Sequence, residues 1–334
     1  ETSQAMHPYV KAGFTTFDMA DHYGSAEIIA GTYQKEGTLG DRVQLLTKWV
    51  PKPGKVTQAE VREAVQTALD RMQLESLDLM QFHAWNYADP SWLDCLFWLQ
   101  ELKEEGLIRH IGLTNFDAAH LRVAVSSGIE VVSNQVCYSL IDQRASGGMT
   151  EVCEQYGVKL LAFGTVAGGF LTEKWLDKPE PKMEALATWS QMKYKRFIDV
   201  AGGWEKFQHL LKTVKQVADK HQVSMANISS RFMLDQPAVG GIILGARLGK
   251  SEHISENQKI FDIQLSEEDR QLIKDAQAQL DPIPGGCGDE YRKPPFLTAS
   301  GDLSHHLEKI PAPFEVVDGK NGRRKIFSGT EWED

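Results

Sequence analysis

The 334-residue sequence has no apolar run long enough to cross a bilayer. Its longest, LLAFGTVAGGFL at 160–171, falls well short of the ~20 residues a spanning helix needs. Cysteine is scarce: Cys95, Cys137, Cys153 and Cys287 form no CxxC pair and show no metal-like spacing with histidine. That speaks against a zinc site and a disulfide framework, and it fits a reducing compartment; no metal is expected. Positive charge is in deficit, 36 Lys and Arg against 46 Asp and Glu for a net charge of −10. Nucleic acid is therefore excluded as the main partner, since it would need a basic face. No charged leader followed by an apolar stretch opens the chain, so a cytoplasmic protein is expected. The first residue is Glu1 rather than Met, which leaves organellar targeting open. Also missing is the G-x-G-x-x-G turn of a Rossmann unit: Gly164, Gly168 and Gly169 miss that spacing.

What is present is ample apolar material, 42% of residues against 25% charged, enough to rule out whole-chain disorder. Short β-rich runs alternate with helical stretches, the pattern of a parallel sheet with crossover helices. Strands are expected at 15–18, 43–47, 77–82, 109–113, 131–134, 159–163 and 241–244. Helices are expected at 2–11, from Ser25 as N-cap, and at 58–72, 92–105, 118–126, 149–156, 205–220 and 225–234. Gly106, Gly128 and Gly157 stop three of them. A long excursion fills 172–204. The fold class that follows is a (β/α)8 TIM barrel one strand short of eight, its N-terminal first strand lacking in this chain. Seven parallel strands leave two edges without partners, so an upstream segment carrying the first strand is expected. From 282 onward the composition changes: 6 of the 13 prolines and 7 of the 28 glycines fall in the last 53 residues. The expected organisation is a barrel at 1–281 and an extended tail at 282–334 packed on it. Two β-like runs around DGKNG make 314–327 a hairpin.

Four polar residues end successive strands or follow them closely. Asp18 ends TTFD, Tyr23 lies in the next loop, Lys48 ends LLTK, and His83 ends DLMQFH. In a βα barrel the C-terminal strand ends converge on one mouth, where these four can meet. The strings GFTTFDMADHYGSAE, LLTKW, DLMQFH, GLTNF and SNQVCYS resemble the aldo-keto reductase family in residues, order and spacing, over roughly 5–280. The resemblance implies a catalytic tetrad of Asp18, Tyr23, Lys48 and His83 and the reduction of an aldehyde or ketone by NADP(H). The chemistry is coherent. A free tyrosine, with a pKa near ~10, is a poor acid at neutral pH. A cationic Lys48, held by Asp18, would lower it, and His83 would polarise the carbonyl oxygen.

The same resemblance implies that Thr114, Asn115 and Gln135 hold the nicotinamide carboxamide and that Phe163 stacks on the ring. Asn115 has a structural alternative, as N-cap of the helix near Asp117. Gly164 would let the backbone approach the pyrophosphate. The stretch GARLGKSEHISEN, from Gly245, resembles the adenosine-phosphate site. There Arg247 and Lys250 would take a 2′-phosphate beside a helix N-terminus, His253 stands where relatives place Arg, and Glu256 and Asn257 would hold adenine. Trp49 and Trp85 would wall the substrate pocket. Two other classes stay in view: a nicotinamide-binding regulatory or redox-sensing subunit with little turnover, and a lyase forming a Schiff base on Lys48. The physiological substrate and the oligomeric state are not legible.

Overall fold

A computed structural model describes residues 3–37, 43–249 and 252–292, together with the backbone of three short strands after 313. Seven strands form one sheet in chain order: β1 (Thr16–Asp18), β2 (Gln44–Trp49), β3 (Leu77–Phe82), β4 (Ile108–Thr114), β5 (Val131–Cys137), β6 (Lys159–Phe163) and β7 (Val239–Ile243). Each neighbouring pair is parallel. Consecutive parallel pairing needs a crossover at every step. α1 (His7–Lys11) precedes β1, and the crossovers are supplied by α2 (Ala26–Glu36), α3 (Gln58–Met72), α4 (Ser91–Glu104), α5 (Ala118–Ser126), α6 (Gly148–Tyr156) and, between β6 and β7, α7 (Trp189–Val200), α8 (Trp204–His221) and α9 (Met225–Leu234). Then follow α10 (Ile254–Asp262), α11 (Glu267–Gln277) and one turn, α12 (Asp289–Arg292). The result is a nearly closed βα barrel.

The expected count of seven strands is what the structure shows. β1 and β7 are the two edges, and no ladder joins them among the described residues. The seam between them opens into a cavity lined there by Thr16, Phe17 and Gly240–Ile243. The core lies between sheet and helices. All six residues of β3 are buried, as a strand covered on both faces requires. Leu45, Leu77, Leu96, Leu99, Ile111 and Phe116 are fully enclosed.

Three details differ from the sequence pattern. Ser25 stands at the N-cap of α2 but makes no side-chain cap, because its backbone (φ −89°, ψ 10°) is not extended as capping requires. Inside the 172–204 excursion, α7 forms behind Thr188, whose hydroxyl accepts from the Gln191 N–H at 3.1 Å. Lys193 and Lys195 occupy buried positions of this helix, so no apolar period marks it. Beyond β7 the helix expected to open near Ser251 begins at Ile254.

In the tail, β8 (Phe314–Val317) and β9 (Arg324–Ser328) pair antiparallel, as the DGKNG turn predicts, and β10 (Glu331–Glu333) adds a third strand. The expected packing of this hairpin on the barrel lies outside the described residues. No helix among the described residues is long and apolar enough to cross a membrane, and all four cysteines are free and buried.

Candidate active site

Side chains alternate between faces along a strand. In β2 that alternation sends Lys48 to the barrel mouth and Trp49 toward the helices. Lys48, only 5% exposed, donates to Asp18 Oδ2 at the end of β1 and to the Met19 carbonyl at 2.9 Å. Tyr23 is 49% exposed, and its ring centre lies 5.2 Å from Lys48 Nζ. Burial alone would push the ammonium's pKa down. Asp18 and Tyr23 outweigh it, and the net displacement is upward. Lys48 is therefore a fixed cation beside an accessible phenol. Asp18 does more than hold Lys48: its Oδ1 accepts from Gln81 Nε2 at 2.8 Å and Gln135 Nε2 at 2.9 Å. Gln135 also donates to Gln81 Oε1 at 2.8 Å. His83, just past β3, is buried, with its ring edge-on to Trp85 at 4.4 Å and to Tyr291 at 5.5 Å.

Asp18, Tyr23, Lys48 and His83 share a cavity of about 890 Å³ at the barrel mouth. Trp85, Thr114, Asn115, Gln135, Phe163, Gly245 and Asn257 line the same space. Trp49 does not reach it: the residue is buried against Phe82, ring centres 5.4 Å apart, because adjacency to Lys48 in a strand means the opposite face.

The cofactor candidates divide into those at the cavity and those away from it. Thr114 is buried and its hydroxyl donates to the Gln135 carbonyl at 3.3 Å. Asn115 is not the N-cap of α5; Asp117 is, accepting from the His120 N–H at 2.8 Å. Asn115 instead takes a left-handed backbone (φ 59°), and its buried Oδ1 has no hydrogen-bond donor among the described residues. A buried amide oxygen without a donor, on the wall of a cavity, suits a ligand that brings an N–H. A nicotinamide carboxamide has one, so the residues present fit that group.

Gly164 has a packing reason of its own. With φ 73°, a Cβ there would stand 2.1 Å from Tyr194 Oη, so α7 covers this turn. Arg247 and His253 are exposed and Lys250 lies outside the described residues. The Glu256 carboxylate sits below its usual pKa range through hydrogen bonds from Ser224 and Lys259, the latter at 2.9 Å.

Several site residues have no counterpart in the sequence reading. Gln81 sits two positions before His83, and the period-two pattern of DLMQFH points both to one face. Lys193 and the segment around α12 carry no such signal. Arg144 bonds Glu290 Oε2 at 2.7 Å and the Gly286 carbonyl at 3.0 Å. Arg292 donates to the Ala84 and Asn115 carbonyls at 2.7 and 2.6 Å. These contacts press α12 onto the mouth and bring Tyr291 into the cavity wall.

Comparison with known proteins bears on the family and the fold. The sequence model of the Aldo/keto reductase family matches residues 1–278. Among curated relatives, the uncharacterized oxidoreductase YqkF of Bacillus subtilis is 28% identical over 266 residues, covering 74% of this chain and 78% of its own. The NADH-specific methylglyoxal reductase of Escherichia coli is 24% identical, with 81% and 86% covered. The flagellar radial spoke protein 5 of Chlamydomonas reinhardtii is 30% identical over 184 residues, 48% of this chain, and the chain spans only 34% of that relative's length. Among solved structures, a thermostable aldo-keto reductase in complex with the inhibitor epalrestat has a TM-score of 0.64 at 25% identity, covering 82% of this chain and 86% of its own. The glycerol dehydrogenase of Gluconobacter oxydans has the same fold, with a TM-score of 0.70 at 23% identity and coverage of 85% and 86%.

Proposed function

The chain belongs to the aldo/keto reductase family, and from that premise we propose that it reduces an aldehyde or ketone to an alcohol with NADP(H). The observation that carries this reading is the Asp18–Lys48–Tyr23 series, with His83, opening on one cavity. A nicotinamide, when bound, supplies the hydride. The protein's part is the proton and the geometry. Tyr23 gives its phenolic proton to the carbonyl oxygen as negative charge develops there. Lys48 stabilises the phenolate left behind. Asp18 keeps Lys48 charged and aimed, and the Gln81 and Gln135 amides keep Asp18 in place. His83 orients the carbonyl by a hydrogen bond to its oxygen.

Thr114, Asn115, Gln135 and Phe163 would hold the carboxamide end of the cofactor, and Gly245 and Asn257 the far end. Trp85 would face the substrate. A charged Lys48 is a poor nucleophile, which disfavours a Schiff-base lyase. The choice of the 2′-phosphorylated cofactor rests on Arg247 and Lys250. The test is a steady-state assay of absorbance loss with NADPH and NADH against a panel of aldehydes. Turnover with a lower KM for NADPH supports the reading; a clear preference for NADH removes the phosphate assignment.

A second reading is a cofactor-binding regulatory subunit. One finding favours it: a relative sharing 184 aligned residues is named a flagellar radial spoke protein. Tight cofactor binding with negligible turnover across the panel would select it.

A further inference from the structure

A second cavity, of about 500 Å³, lies beside the barrel mouth, between the β2–α3 and β3–α4 loops and the start of α5. Trp85 and Tyr291 line both spaces, so these two rings are the partition between them. The partition is fixed. The Tyr291 hydroxyl accepts from the buried Lys193 on α7 at 2.9 Å, and the preceding residue, Glu290, faces both Lys193 and Arg144. Asp18, Tyr23, Lys48 and His83 line only the catalytic side, and nothing in the reduction uses the second cavity.

The walls of this space are apolar and aromatic, with Pro51, Val56, Tyr87 and Trp92 among them. The Tyr87 and His120 rings stack, centroids 3.5 Å apart and planes within 6°. Most charges in the wall are accounted for. Asp117 takes the His120 ring nitrogen at 2.7 and 2.9 Å, Asp89 accepts from the Ser91 N–H at 2.9 Å, and Lys52 is exposed. Arg292 differs. Its guanidinium lies over the Tyr87 ring, 4.2 Å from the centre, while Nε and Nη1 donate to the Ala84 and Asn115 carbonyls. Its Nη2 is buried and meets no acceptor among the described residues, and no carboxylate there pairs with it. Carbonyls fill two directions of the fork and neutralise none of its charge. A buried donor left without an acceptor is destabilising, and an anion supplies both the acceptor and the counter-charge.

We propose that this second cavity is a binding site for a small organic carboxylate with a flat apolar body, its charge on Arg292 and its body against the aromatic wall. The volume falls in the usual range for small-molecule sites. Asp89 and Asp117 stand in the same wall and repel a second negative charge, which selects a monoanion over a phosphate dianion. Arg292 belongs to α12 and clasps carbonyls of two mouth residues, Ala84 and Asn115. An anion on its free edge therefore fastens α12 in place. The site does not depend on the carbonyl-reductase reading.

The test is calorimetric titration of the full chain with 1-naphthoate, its neutral analogue 1-naphthamide, and inorganic phosphate. Naphthoate should bind about tenfold or more tightly than either of the others. Arg292→Gln should erase the preference for the acid over the amide. Ala88→Trp, an exposed position on the cavity's rim, should weaken both by obstructing entry, and it leaves Arg292 untouched if the first variant does not fold. The mouth also holds a cation, Lys48, so hydrogen exchange separates the two spaces. Bound naphthoate should slow exchange at 84–92 and 286–292 while leaving 16–23 and 44–48 unchanged. Equal binding of acid and amide, affinity for naphthoate retained in Ala88→Trp, or protection confined to 16–23 and 44–48 overturns the proposal. So does a wild-type protein that binds no naphthoate at millimolar concentration.

Discussion

Gln135 Nε2 and Asp18 Oδ1, separated by 117 positions in the chain, share a hydrogen bond of 2.9 Å. The bond ties β5 to β1 across the barrel interior and shows how the site is kept in register. One carboxylate receives a lysine and two amides from three other strands. Its position is over-determined, and Lys48 inherits that precision.

Asp18→Asn should therefore act on stability as well as rate. It leaves Lys48 buried without its counter-charge, a loss of about 3 kcal/mol or more. Urea denaturation of the two proteins at neutral pH measures it. A midpoint unchanged from wild type would mean that Lys48 is satisfied by other groups.

Tyr23→Phe should leave folding unchanged, because the residue is half exposed and loses only an oxygen. Turnover should fall ~10²-fold or more, the usual weight of a general acid. Affinity for the reduced cofactor, read by fluorescence titration, should stay within a factor of two or three. Undiminished turnover would remove Tyr23 from the mechanism.

Gly288→Ala tests the docking of α12. At φ 81° the residue has a backbone that side chains rarely adopt, and a Cβ would meet the Asn115 carbonyl oxygen at 2.0 Å. That oxygen is the one Arg292 binds. The expected outcome is faster amide hydrogen exchange across 286–292 and loss of turnover, with the barrel's circular dichroism retained.

Asp269 predicts an acid-dependent term. It accepts from Lys220 at 2.7 Å and from the Ser266 N–H at 3.0 Å, with the His221 ring at 2.8 Å, in the capping box of α11. Burial alone would raise its pKa; the hydrogen bonds from Lys220, His221 and Ser266 outweigh that and hold it well below the usual carboxylate range. A carboxyl depressed in the folded state stabilises the protein above its unfolded pKa near ~3.9, and the contribution is lost as pH falls toward the folded value. Asp269→Asn should cost about 1.5–3 kcal/mol at pH ~7, the usual weight of hydrogen bonds to a charged group, and the gap to wild type should narrow below pH ~4. Denaturation curves at several pH values check it; a gap that widens on acidification would contradict it.

The strands and the meeting of Asp18, Tyr23, Lys48 and His83 at one cavity were legible because each is written locally. A β-rich run ending in a polar residue marks a barrel stave and its mouth, and Asp18, Lys48 and His83 are such endings. Gln81 could have been read the same way, from its spacing to His83. Trp49 was misleading because neighbours in sequence are opposites in a strand. Lys193 and Tyr291 were illegible for another reason. Each lies in a segment whose apolar period is broken by charge, and the charges make sense only after Arg144, Asp142 and Glu290 are seen around them. Local pattern reports which face a side chain takes; it does not report a partner some hundred residues away.

The docking of α12 sets where the working unit stops. A polypeptide ending at 281, where the composition turns to proline and glycine, would retain every stave of the barrel. It would forfeit the tyrosine beside His83, the guanidinium that clasps the β4 loop, and the carboxylate that neutralises Lys193. Such a shortened protein would be a vessel with its rim broken on one side, sound in its walls and altered in what it can grip.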